Sequence, residues 1–139
     1  MKKILLTVFC IFLTALIVIA DIDFTGALQT CTPYSDSGTV NTQGIRAAST
    51  KIIEGWEGNK CVYKENVNFS GINATTTCKF TKAQINEIVS VMKAYDLVQK
   101  YSNEKVDTSS IEAASNNPVV KVWQKYFQDS SVCNISGLN

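Results

Sequence analysis

Glu54 and Glu65 are the two side chains whose types and spacing could support catalysis in this chain. Its 139 residues contain no histidine. That absence removes Ser-His-Asp and Cys-His nucleophile systems and the usual imidazole-containing metal sets. It also removes the side chain best suited to proton transfer near neutral pH. Paired carboxylates remain. A two-residue turn at Gly58-Asn59 sets Trp56 opposite Cys61, Glu54 opposite Tyr63 and Ile52 opposite Glu65. Glu54 and Glu65 then become diagonal neighbours on one face, beside Tyr63 and Trp56. Two carboxylates among aromatic rings resemble a sugar-cleaving site. The structural alternative is stronger. Glutamates at the solvent edge of a small sheet, neutralised by Lys51 or Lys64, perturb one another without catalysis. A register slip of one residue separates them.

Cysteines are the other reactive set. Cys10 falls in an apolar leader, which leaves Cys31, Cys61, Cys78 and Cys133. No C-x-x-C pair exists, so a zinc site would need ligands from four distant segments. Two disulfides are the expectation, with three connectivities to choose among. No cofactor or metal is implied. Strand alternation puts Cys61 and Cys78 on the apolar faces of adjacent strands, which favours Cys61–Cys78 and leaves Cys31–Cys133.

Aromatic side chains raise a binding alternative. Trp56, Tyr63, Phe69 and Phe80 could line a patch, and Trp123, Tyr126 and Phe127 another, but alternation and helical spacing assign most of them to a core. Tyr34 lies in the least regular segment and is the expected exposed aromatic contact. Asn68, Asn73 and Asn134 each begin an N-x-S/T motif, which has meaning only in a eukaryotic secretory pathway.

These residues need elements to hold them. Met1-Lys2-Lys3 followed by an uncharged run from Ile4 to Ala20 reads as a secretory signal, cut after Ala20 or near Ala27. The run has 17 residues, at the short edge of a spanning helix, so an uncleaved anchor is the alternative. A lipoprotein signal ending at Cys31 fits poorly, because Gln29 and Thr30 precede the cysteine. Residues 21–139 are expected to form a single domain. Without Lys2 and Lys3, 11 of the 13 basic residues remain against 12 acidic ones, and no basic block supports nucleic-acid binding.

Residues 21–44 read as mostly irregular, rich in Gly, Ser, Thr, Asp and Asn. Residues 45–80 read as a three-stranded meander, with strands at 50–56, 61–69 and 75–80 and turns at Gly58-Asn59 and Ser70-Gly71-Ile72-Asn73. The Cys61, Tyr63, Glu65, Val67, Phe69 face points to the core. Thr81 and Gln84 form a capping box that opens a helix over 82–101. Ser109 to Ala114 is a further short helical segment. Asn117-Pro118 starts a helix to about 128, with Asn as cap and Pro at the first position. The expected fold is α+β: a three-stranded antiparallel meander packed with two main helices and tied by two disulfides.

Four segments carry a resemblance: Cys31-Thr32-Pro33-Tyr34, Ile53-Glu54-Gly55-Trp56, Lys60-Cys61-Val62-Tyr63-Lys64-Glu65 and Cys78-Lys79-Phe80-Thr81. Over about residues 31–100 the chain resembles small exported bacterial proteins of unknown function. Their pattern has an early C-x-P-Y, a G-x-x-x-G-K-C-x-Y-x-E hairpin and a third cysteine before a helix. Asn59 replaces the Gly before Lys60. The resemblance implies export and disulfide linkage and brings no activity, ligand or catalytic residue.

The expected function is a non-enzymatic binding module outside the cytoplasm, periplasmic or secreted, with a protein or polymer partner. The alternatives are a small hydrolase using Glu54 and Glu65, and a membrane-anchored assembly component in which residues 4–20 are not cleaved.

Overall fold

The computed structural model describes residues 22–42, 45–102 and 115–137. The expected signal at 1–20 and the helical segment Ser109–Ala114 lie outside the described residues. The order is α1 (Ile22–Thr30), β1 (Tyr34–Thr42), β2 (Ile45–Glu57), β3 (Lys60–Phe69), β4 (Ile72–Phe80), α2 (Lys82–Ser102), α3 (Pro118–Phe127) and β5 (Cys133–Ser136). The α+β class is as expected. The sheet has five antiparallel strands in the order β1-β2-β3-β4-β5, not three.

The two added strands come from segments with weak strand signals. β1 reads YSDSGTVNT, mostly polar and without alternation. Pairing with β2 makes it a strand, in unbroken register from Tyr34↔Ile53 to Thr42↔Ile45. Neighbours outweigh intrinsic preference in a sheet. β5 has four residues and rests on β4 through Cys78↔Cys133 to Thr75↔Ser136.

Residues 22–30, expected to be irregular, form a helix anchored by Phe24 and Leu28, one turn apart and both buried. It stops in a Schellman motif: the Thr32 N–H donates to the Ala27 carbonyl at 2.9 Å and the Cys31 N–H to the Leu28 carbonyl at 3.2 Å. The left-handed position normally given to glycine is held by Cys31, at φ 53°. Its disulfide then fixes the helix end to the sheet.

The later helices follow their sequence signals. The Thr81 hydroxyl accepts from the Gln84 N–H at 3.2 Å, and Gln84 Oε1 accepts from the Thr81 N–H at 2.8 Å. Asn117 Oδ1 accepts from the Val119 N–H at 2.8 Å, with Pro118 next to the cap. α2 and α3 are joined at the surface by Glu87, which receives Lys125 Nζ at 2.7 Å and the Tyr126 hydroxyl.

One face of the sheet packs against the helices. Trp123 sits in the middle, wholly buried, with ring centroids 5.3 Å from Tyr63, 5.8 Å from Phe80 and 5.5 Å from Phe127. Tyr63 and Phe80 are therefore core, as alternation requires. Trp56 escapes it, 43% exposed, its indole N–H donating to the Thr30 carbonyl at 3.2 Å.

Candidate functional site

The site begins with a backbone irregularity. β2 and β3 pair as Trp56↔Cys61 and Gly55↔Val62, then shift so that Ile53 opposes Tyr63. Glu54 is the extra residue of a β-bulge, and Gly55 takes φ 109°, a region that disfavours any side chain. Every position before the bulge is displaced by one from the simple hairpin register. Lys51, not Ile52, therefore faces Glu65.

The displacement separates the two carboxylates. Glu54 turns to the open face, where Lys64 Nζ lies 2.6 Å from Oε1. Glu65 turns to the packed face and is wholly buried. The shared site expected of them does not form.

Glu65 instead belongs to a row across three strands, with Lys51 on one side and Thr76 on the other. All three are buried. The Tyr63 hydroxyl donates to Glu65 Oε2 at 3.0 Å. Lys51 Nζ stands 5.3 Å from the centroid of the Phe24 ring. No described residue hydrogen-bonds Glu65 Oε1, Thr76 Oγ1 or Trp123 Nε1. Most buried polar atoms find a partner, so Glu65 and the Thr76 opposite it mark a polar knot in an otherwise apolar core.

Burial dominates its electrostatics. It pushes the Glu65 carboxyl up to about 7, against the opposing pull of the Lys51 charge and the Tyr63 hydroxyl. Burial lowers Lys51, while Glu65 and Asp36 pull it back up. Tyr63 is driven well above its ordinary value by burial and then by the neighbouring carboxylate. Glu65 thus exchanges a proton near neutrality. A general acid must also reach the substrate, and this one is sealed beneath the sheet face.

The other sequence-derived sites resolve as follows. Tyr34 is half-buried, its ring 6.0 Å from Phe24, so it is packed rather than an exposed contact. The disulfides are Cys31–Cys61 and Cys78–Cys133, which replaces the pairing favoured from alternation. Cys61 and Cys78 do share a face, but Cys61 opposes Phe80 and Cys78 opposes Tyr63. That diagonal spans about 7–8 Å, beyond the roughly 6.8 Å limit of a disulfide. Cys78 and Cys133 are directly opposed, with Cα atoms 4.1 Å apart. Two disulfides fit an oxidising compartment outside the cytoplasm. Among the described residues no helix is long and apolar enough to cross a membrane.

Thr76 is the member that sequence reasoning did not assign to this site, while Lys51, named as a neutralising partner of the glutamates, faces Glu65 in the core rather than at a solvent edge. A glycine inside a strand, directly after Glu54, was the available signal for the bulge that recruits Lys51.

Among the described residues the opposite face of the sheet is largely polar. One row crosses all five strands: Ser37, Thr50, Asn66, Thr75 and Ser136. Ser37 Oγ and Thr50 Oγ1 are 2.9 Å apart, and the Thr75 hydroxyl donates to Asn66 Oδ1 at 2.9 Å. The face's described charges include the ion pairs Lys64–Glu54 and Lys79–Glu57. Asn68, Asn73 and Asn134 are all exposed. Asn68 donates to Asn73 at 2.7 Å across the β3–β4 pair.

No protein-family model matches the chain, and neither a curated protein nor a solved structure matches it.

Proposed function

We propose that the protein is a non-enzymatic binding module acting outside the cytoplasm, periplasmic or secreted, through the open face of its sheet. One observation carries this reading: the hydroxyl and amide row from Ser37 to Ser136 spans all five strands, and among the described residues Ser37, Asn66 and Ser136 in it are exposed. The two disulfides support export. A hydrolase using Glu54 and Glu65 has less support, because the two lie on opposite faces.

The test compares three baits for capture from the exported fraction: the protein itself, Asn66→Arg with Asn68→Arg, and Glu54→Gln. Both asparagines are exposed, so the double variant should fold. A partner retained by the protein and by Glu54→Gln, but lost from the double variant, is the expected result. Capture indifferent to the open face, or cleavage of a polymer that Glu54→Gln abolishes, would overturn the proposal.

A further inference from the structure

We infer that β1 is a docking edge for a second copy of this chain, the two β1 strands pairing antiparallel about a two-fold axis at Gly38. This edge shares Ser37 with the open face, but the inference rests on the β1 backbone and not on that reading.

β1 ends the sheet. β2 pairs with one of its sides, and no described strand pairs with the other. An edge of this kind offers a ladder of N–H and C=O groups that another extended backbone satisfies. Proteins usually blunt such edges with short length, lysine, proline or a bulge. The far edge, β5, is blunted by having four residues. β1 has nine, contains neither lysine nor proline, and pairs with β2 without a bulge. Ser35, Asp36, Ser37, Gly38 and Thr39 are exposed, and a Cβ on Gly38 would meet nothing within 4 Å.

The strand is also self-complementary. Pairing over its full length, 34 to 42, puts the axis on residue 38. Ser37 then opposes Thr39 of the second copy, and Ser35 opposes Asn41, extending the Ser37–Thr50 pattern outward. The single charge, Asp36, opposes position 40 rather than itself. The two Asp36 residues then sit roughly 13 Å apart along the strands, more than the screening length of about 8 Å at physiological salt. An axis at position 36 would set them face to face, which is unfavourable. An axis normal to the sheet keeps both helical layers on one side, giving a continuous ten-stranded sheet.

Sedimentation equilibrium on the exported, disulfide-bonded protein tests this. The expected result is a concentration-dependent doubling of molar mass. Ser37→Lys with Thr39→Lys puts four lysines around the axis and should return the protein to monomer, with its circular dichroism and thermal midpoint unchanged. Gly38→Cys places two thiols directly opposite and should give a covalent dimer on oxidation, whereas Ser35→Cys should not. A monomer at every accessible concentration overturns the inference. A dimer that survives the double-lysine change puts the contact elsewhere and overturns it too. A monomer that instead binds an extended foreign peptide along β1 overturns the second copy as occupant.

Discussion

Lys51 and Glu65 face each other across β2 and β3 with both side chains in the core, a pairing created by a single extra residue at Glu54. Neither group would be in the other's register in a simple hairpin. The bulge therefore sets the electrostatics of the interior as well as the shape of the sheet.

Stability should fall as pH rises from about 4.5 to about 7. Glu65 titrates near its ordinary value of 4.5 when unfolded and at about 7 when folded, so the folded state binds its proton more tightly across that interval. The loss is complete above about 7 and amounts to a few kcal/mol, at roughly 1.4 kcal/mol per pH unit. Lys51, lowered by burial, gives the opposite slope only in alkaline solution. Glu87, held low first by Lys125 and Tyr126, loses its contribution only in acid. Urea midpoints between pH 4.5 and 8 should show the decline for the natural chain and a flat profile for Glu65→Gln.

Gly55→Ala should destabilise the domain by about 1–2 kcal/mol, because φ 109° excludes a side chain at little strain. Space is not the obstacle: the nearest atom to an added Cβ is Pro33 Cγ at 3.7 Å. A lowered thermal midpoint would confirm it. An unchanged midpoint would mean that the strand can do without the bulge.

The β-meander from 45 to 80, both main helices and their caps were legible because alternation, the Thr81–Gln84 box and Asn117-Pro118 are local signals. The face containing Cys61, Tyr63 and Glu65 was legible for the same reason. What pairs with what was not. The register depends on a bulge marked by one glycine, and the disulfides depend on that register and on β5, a strand that exists only against β4. β1 is mostly polar and lacks alternation, and its state is decided by β2. The pairing inside the buried knot therefore had one local mark, Gly55, and otherwise depended on the assembled sheet.

Trp123→Ala should cost about 3–5 kcal/mol, as deletion of a large buried aromatic usually does. Its ring touches those of Tyr63, Phe80 and Phe127, so the cavity would open at the junction of sheet and helices. Trp123→Phe should lose appreciably less and removes the unpaired indole N–H. Denaturant unfolding of both variants, compared at one pH, separates the packing loss from the polar gain.

Peptide mapping without reduction should recover a Cys31–Cys61 fragment and a Cys78–Cys133 fragment. Replacing either pair by serine should cost about 2–5 kcal/mol. The bridges close spans of 30 and 55 residues, close enough in chain entropy that neither loss should dominate. A fragment joining Cys61 to Cys78 would contradict the sheet register.

The two bridges also determine how the molecule carries tension. Each joins an outer segment to the central hairpin, Cys31 to β3 and Cys133 to β4. A pull applied between α1 and β5 enters at Cys31, crosses to Cys61, runs through β3 and β4 to Cys78, and leaves by Cys133. The covalent path bypasses strands β1 and β2 and helices α2 and α3. The covalent path runs through the β3–β4 hairpin, where Glu65 is buried opposite Thr76. Reduction would lengthen that path by the two bypassed spans at once, turning a stiff linkage into an extensible one.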